Sequence, residues 1–417
     1  MRRLSCCIAL VLILCLSGTV FAQTMPPTFC GELSQEDCNI LTNASNATAM
    51  VDSALYDFTV DLNISNVPNM DEPVNFNITG SGSFAGLEAL HNSMMDMTDM
   101  SNMPTDPTAM MEMVGDLLRG LNADVNLTFN FPPALVEQTN SSGGNMPDTL
   151  TIQARLVDGF GYLNMDTLAP VIGDSMNLSG WYGIDVAGLL EALSTQMGDM
   201  MSEMPDDMTM FGMSAEMMES MALLYDPEFM GQFVSVTRTD DGSGDTAVFQ
   251  LDIDLGGMFG SPEFQDMMRQ QMAAQMEAMG GEAMDEDEMN EAMAMLTQMF
   301  KGMTFVRTEE IGLTDGFLHR VNGAISFDTA GMMTAMGETS SSDDVPPVIN
   351  LTFSVGYSSF NSAPEITAPE DATIIPYESL LSGMDMDMSE ATPAMEMTPT
   401  ETPDAMAEPT EEATPSG

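Results

Sequence analysis

The sequence has very little positive charge. One lysine, Lys301, and eight arginines stand against 64 acidic residues in 417 positions. A surface so biased repels nucleic acid and anionic membranes, and it leaves little with which to hold phosphate groups. Histidine is scarce too. His91 and His319 lie in unrelated contexts, with no G-x-S-x-G elbow, H-E-x-x-H pair or phosphate-cradling glycine loop beside them. Among 64 acids, carboxylate pairs arise by chance, so no glycosidase pair stands out. These shortages predict a protein that is not an enzyme, uses no cofactor and takes no nucleic-acid partner.

Long apolar runs are missing after the first residues. Arg2 and Arg3 precede an apolar stretch from Cys6 to Leu16, and Val20-Phe21-Ala22 has the small and aliphatic residues read by signal peptidase. This predicts a signal peptide over 1–22. Nothing later reaches the roughly 18 apolar residues of a membrane span, so the expectation is an exported, secreted or periplasmic chain with no transmembrane segment. With Arg2 and Arg3 removed, 64 acids face seven bases, a formal charge near −57.

Cysteine is nearly absent as well. Cys6, Cys7 and Cys15 leave with the leader, and only Cys30 and Cys38 remain. An oxidising compartment predicts a Cys30–Cys38 disulfide that pins a segment over 23–48 locally. Eight N-x-S/T sequons, Asn63-Ile64-Ser65 and Asn350-Leu351-Thr352 among them, matter only in a eukaryotic secretory pathway.

What is present is alternation. Phe58, Val60, Leu62 and Ile64 share one strand face, as do Val74, Phe76 and Ile78, and Val125, Leu127, Phe129 and Phe131. Leu150, Ile152, Ala154 and Leu156 lead through an Asp158-Gly159 turn into a strand over 160–165, the pattern of an antiparallel hairpin. The second half repeats the pattern near 233–238, 247–254, 303–307, 317–327 and 349–357. The polar loop Asp240 to Asp245 reads as a hairpin turn in preference to a calcium loop, because no bidentate Glu follows at the required spacing.

Methionine is the other abundance, 47 residues in all. It concentrates over 94–113, 197–221 and 267–299, which read as amphipathic helices. Ser261-Pro262-Glu263 is a helix start. Met268, Met272 and Met276 then share one face, and Met293 and Phe300 share another. Leu189 and Leu193 line a helix that begins after Asp185. The thioether adapts to irregular apolar shapes, which suits a cavity for an acyl chain. Two other readings stand beside this one: methionine replacing leucine in ordinary packing, and Cu(I) binding through Met94, Met95 and Met97 or Met208, Met210 and Met213. Residues 378–417 turn to Thr, Pro, Glu, Ala and Met without an apolar face, the composition of a disordered tail.

Two landmarks resemble one family. Trp181-Tyr182-Gly183-Ile184-Asp185 before an apolar helix, and Tyr357-Ser358-Ser359-Phe360-Asn361 followed by Glu365-Ile366-Thr367-Ala368-Pro369, are similar to the LppX/LprG lipoproteins, relatives of the LolA carriers. The resemblance covers roughly 49–376 and implies a strongly curved antiparallel sheet, a half-barrel whose concave face, closed by helices, holds lipid acyl chains. The chain departs from that pattern in its missing lipobox cysteine, its methionine content and its charge. The resulting expectation is one α+β domain over 49–377, with methionine-rich helices on the concave side of a curved antiparallel sheet, that binds or carries a lipid or other hydrophobic molecule. Its cavity residues would include Trp181, Leu189, Leu193, Met268, Met272, Met276, Met293 and Phe300. A structural surface module without a ligand is the remaining alternative.

Overall fold

The structure is a computed structural model that describes residues 29–66, 72–87, 107–141, 145–172, 178–201, 227–240, 242, 244–278, 293–294, 297–298, 300–329 and 346–379. The expected leader and nearly all of the expected tail lie outside the described residues. The chain divides between Tyr377 and Glu378, and the sheet belongs to the first unit.

Two antiparallel meanders build that sheet. β1 (Ala54–Ser65), β2 (Val74–Ala85), β3 (Asn122–Asn130), β4 (Thr149–Val157), β5 (Phe160–Asn164) and β6 (Trp181–Asp185) each pair with the next. β7 (Val234–Arg238), β8 (Thr246–Ile253), β9 (Met303–Gly312), β10 (Leu318–Asp328) and β11 (Val348–Ser358) do the same. A seam joins the two meanders, with β1 and β11 paired from Leu55↔Ser358 to Ser65↔Val348. β12 (Thr373–Ile375) adds a short parallel strand beside β6. The result is an α+β fold around an open sheet of twelve strands, ordered β12-β6-β5-β4-β3-β2-β1-β11-β10-β9-β8-β7.

Local chemistry explains the turns and helix starts. Asp158 and Gly159 both adopt positive φ, 52° and 82°, the geometry that a two-residue turn needs to match strand twist. Asp185 accepts the Gly188 N–H at 2.7 Å and caps the helix Val186–Met201. Ser261 accepts the Phe264 N–H at 3.2 Å and caps Pro262–Ala278. Asp240 holds its turn together by accepting from the Gly242 and Val248 N–H groups. Two helices without a clear apolar period also form, Gln35–Ala49 and Pro133–Ser141. No described helix is long and apolar enough to cross a membrane.

Directly paired residues share a sheet face, so the register separates the two surfaces. Phe58, Val60, Leu62 and Ile64 of β1 lie opposite Gly80, Ile78, Phe76 and Val74 of β2, and opposite Val355, Phe353, Leu351 and Ile349 of β11. The alternate positions form a polar face stitched by side-chain hydrogen bonds, from Asn77 to Asp61, Asn130 to Asn77 and Ser326 to Asn350, all 2.7–2.8 Å. Asn63, Asn77, Asn126 and Asn350 of the sequons stand on this face. Those sequons follow from the alternation itself, an outward Asn, an inward aliphatic and an outward Ser or Thr.

The described helices at both flanks pack on the apolar face. Leu41 and Ala44 of Gln35–Ala49 bury against Val236, Ala247, Phe249 and Ile311. Leu118 of Pro107–Gly120 and Leu190 of Val186–Met201 meet Ala54, Phe84 and Leu156. Cys30 and Cys38 form the expected disulfide, with Cα atoms 5.3 Å apart. Gly31, beside Cys30, comes close to the backbone of edge strand β7 near Val236. The other edge is guarded differently: β12 is three residues long and Pro376 follows it directly.

The chain after β11 corrects one expectation. The sequence suggests that Pro364 and Pro369 turn it outward. Instead it returns along the polar face, where Thr367 accepts from the Arg155 guanidinium at 3.2 Å before the chain reaches β12. Ala363, Ile366, Pro369, Ala372 and Ile375 are half-buried while the residues between them are exposed. That period of three is the one a polyproline-II strap presents to a surface. Asn361, at φ 53°, fixes the start of the strap by accepting the Asp52 N–H at 2.7 Å.

Arg238 ties the N-terminal helix to the edge strand and its turn, with ion pairs of 2.8 Å to Asp37 and 2.9 Å to Asp240. Arg238, with the Val248 and Gly242 N–H groups, holds the Asp240 carboxyl far below the usual carboxylate range. The Ser34 hydroxyl, then Arg238, lowers that of Asp37. Depressed carboxyls stabilise the fold above their unfolded value of about 3.9, and this contribution fades as pH falls through the folded values. Arg238→Met should therefore cost about 2 kcal/mol at neutral pH. The gap from wild type, read by urea denaturation at a series of pH values, should narrow below about pH 4; a gap that does not change with pH contradicts the clamp.

Candidate functional site

Over the middle of the apolar face burial runs opposite to the usual pattern, while Ala54, Phe84 and Leu318 seal one end of the central strands. In an ordinary sheet the central strands are the most covered. Here the flanks are filled: Leu127 and Ile152 on β3 and β4 are 5% and 7% exposed, and Phe249 and Ile311 on β8 and β9 are 0% and 2%. Between them run β2, β1, β11 and β10. Their Phe76, Ile78, Val60, Leu62, Leu351, Phe353, Ile325 and Phe327 are only half-buried, and none of these residues belongs to a buried cluster. The middle of the sheet is thus an apolar strip between two packed cores.

Glycines keep this strip low. The Phe58 ring lies over Gly80, so a Cβ built there would meet it at 2.2 Å. The Phe353 ring lies over Gly323 in the same way, at 2.1 Å. Tyr56 covers Gly82 and donates its hydroxyl hydrogen to the Asp124 carbonyl at 3.2 Å. Aromatic rings laid flat across a paired glycine stand lower above the sheet than upright ones would.

Besides Arg238, directly opposite Phe249 at the β7 edge, the Arg307–Glu309 pair sits on this face. Arg307 is directly opposite Gly323 on one side and Leu251 on the other, and it contacts Glu309 at 2.6 Å. Glu309 is buried, and the Arg307 Nε is buried with no hydrogen-bond partner. Such an orphan donor costs about 1–3 kcal/mol. Tyr357 stands nearby on the same face. Burial pushes its hydroxyl pKa up, and the Arg307 charge pulls it back.

The opposite face is chemically different. A shallow open groove of about 350 Å³ crosses four strands there, with Thr59, Asp61, Thr308, Asn322 and Ser354 in its lining. Asn322 already donates to Thr308 within it, at 3.2 Å. Among the described residues no group of three His, Cys, Asp or Glu could hold a metal ion. The Asp315 carboxylate engages the His319 Nε2 at 2.9 Å.

The residues singled out from the sequence fall into separate places. Trp181 lies on the polar face, 5.2 Å under the Arg155 guanidinium, because alternation in β6 sends Tyr182 and Ile184 to the apolar side. Leu189 and Leu193 are half-buried on the Val186–Met201 helix. Met268 packs beside Phe229, Met258, Phe264 and Met267. Phe300 stacks on Phe259 of that same helical group, 3.7 Å between centroids, and Met293 is 2% exposed. Met272 and Met276 lie on the Pro262–Ala278 helix, with side chains outside the described residues. Met94, Met95, Met97, Met208, Met210 and Met213 also lie outside them. The strip residues and Arg307 went unrecognised as a site in the sequence, although the strand alternation had already put Phe58, Val60, Leu62, Phe76 and Ile78 on one face.

No protein-family model matches the chain, and no curated protein matches it.

The flat rings give a graded prediction. Gly80→Ala and Gly323→Ala force only a side chain to lift, so each should cost about 1–2 kcal/mol. At Gly82 a Cβ would meet the Asp124 carbonyl oxygen at 1.9 Å, and backbone cannot swing aside. Gly82→Ala should therefore cost more, about 3 kcal/mol. Equal losses for the three variants in chemical denaturation would contradict the geometry.

Proposed function

We propose that this is a non-enzymatic extracytoplasmic binding or carrier protein, which holds a lipid or comparable hydrophobic molecule against its four central strands. The reversed burial pattern carries this reading: eight large apolar side chains stay half-covered where a solid domain would seal them. The LppX/LprG resemblance supports it, since a half-barrel with helices over its concave face places an acyl chain at the corresponding position. The methionine-rich stretches are then the adaptable covering of that chain. The leader expected from the sequence and the Cys30–Cys38 disulfide fit a place outside the cytoplasm.

Magnitudes set the size of the guest. Burying a methylene contributes about 0.8 kcal/mol, whereas association costs roughly 4–15 kcal/mol. A chain of ten methylenes, worth about 8 kcal/mol, is near the lower limit, so long acyl chains should bind and short ones should not.

Native mass spectrometry of the protein purified from its own host should show a bound lipid mass, and a fluorescent long-chain fatty acid should bind the emptied protein. Leu351→Gln and Ile78→Gln, both on the strip, should weaken uptake about tenfold, the effect of roughly 1.4 kcal/mol of lost apolar burial. Thr352→Gln, on the polar face, should leave it unchanged. An empty protein that ignores every such probe overturns the proposal and leaves a strip filled by the protein's own chain.

A further inference from the structure

The apolar face carries a cation that packing does not explain. Removing an ion pair from water costs several kcal/mol per ion, and apolar side chains of similar volume commonly serve stability as well or better. Yet Arg307 and Glu309 project from β9 at positions flanked by Leu251, Gly323, Phe249 and Val321.

Arginine is rare in this chain, and the others with described partners are engaged elsewhere. Arg155 serves Asp124 on the polar face, Arg119 and Arg238 each bridge two carboxylates, and Arg320 donates to Ser354. Arg269 also has an unpaired buried Nε, but it sits on the Pro262–Ala278 helix beside Asp266. Arg307 differs in place. It is the arginine that borders the central strip, one strand pair from the ring of Phe353.

Its donor set is incomplete. A guanidinium offers five N–H donors in a planar fork that matches two oxygens of a carboxylate or phosphate. Glu309 takes one edge through the terminal nitrogen Nη2, and Nε has no acceptor. The side chain is 25% exposed, so the group is not sealed from an incoming ligand. Tyr357, within the field of Arg307, brings a hydroxyl to the same neighbourhood. A chain with a net charge of −55 repels anions at long range, and selecting one needs a local cation held where water is scarce.

We propose that Arg307, held in place by Glu309, docks the anionic head of the bound acyl chain, a carboxylate or phosphate, at the β9 border of the apolar strip. This rests on the carrier reading above. The acyl chain then runs from Arg307 across Phe353 and Ile325 toward β1, its head at the Arg307 side chain and its tail on the flat rings.

The experiment compares oleate, oleoyl lysophosphatidate and methyl oleate on the emptied full-length protein. The variants are Arg307→Met combined with Glu309→Gln, so that no lone carboxylate is left buried, and Arg155→Met as a polar-face control. Either anion should bind at least about tenfold tighter than the ester, as expected of a charge-assisted hydrogen bond, and their ranking tells the carboxylate source from the phosphate source. That preference should vanish in the double variant, which still takes up methyl oleate as proof of an intact strip, and should persist in Arg155→Met. Equal binding of anions and ester by the wild type, or a preference that survives in the double variant, overturns the role of Arg307 and leaves the carrier reading standing. If no ligand binds, both fall.

Discussion

The seam between β1 and β11 is the constraint on which the rest of the structure depends. Eleven paired positions, Leu55↔Ser358 through Ser65↔Val348, join two meanders that are each complete in themselves. A slip of one residue would turn Val60 and Leu62 to the polar face and bring Asp61 and Asn63 onto the apolar one. The register therefore does more than hold two halves together. It brings the apolar positions of both halves into one strip, and that strip runs along the join, beyond the end of it that Pro107–Gly120 and Val186–Met201 cover.

The division of labour between the faces follows. On one side, Asn, Thr, Ser and Asp bond to one another across strands, and the return strap from Asn361 to β12 lies there. On the other, the flanks are sealed by Gln35–Ala49 over β7–β9 and by Pro107–Gly120 with Val186–Met201 over the start of β1 and the end of β2. Among the described residues no helix joins the strip residues in a buried cluster. Glycines at 80, 82 and 323 reduce the height of the strip to that of a flat ring. The Arg307–Glu309 pair marks one border of it.

Much of the sheet was legible in the sequence, and for a physical reason. Alternation is local, so β1 to β5 and β7 to β11 could be placed from runs such as Phe58-Val60-Leu62 and from the Asp158-Gly159 turn. β12 has three residues and no room for a period, and its partner β6 lies nearly two hundred positions away, so nothing local announced it. The Gln35–Ala49 helix, rich in Asn and Thr, has no apolar period that announced it. The site was harder. Half-burial at Phe353 depends on which strands end up central, and that is decided by a pairing almost three hundred residues apart in the chain. Trp181 was legible in principle, since period two in β6 sets it with Gly183 and Asp185, away from Tyr182 and Ile184. The methionines attracted attention by number, but Met268, with Phe300 beside it, packs into a helical cluster, whereas the half-buried apolar strip is carried by the sheet.

The two faces give a direct way to locate a guest. Trp181, the sole tryptophan, reports from the polar face, and a Phe353→Trp substitution in a Trp181→Phe background reports from the strip. Brominated fatty acids quench indole fluorescence only at short range. The account predicts strong quenching of the probe at position 353 and none at Trp181 in the native chain; quenching of Trp181 alone, or of neither, would contradict it.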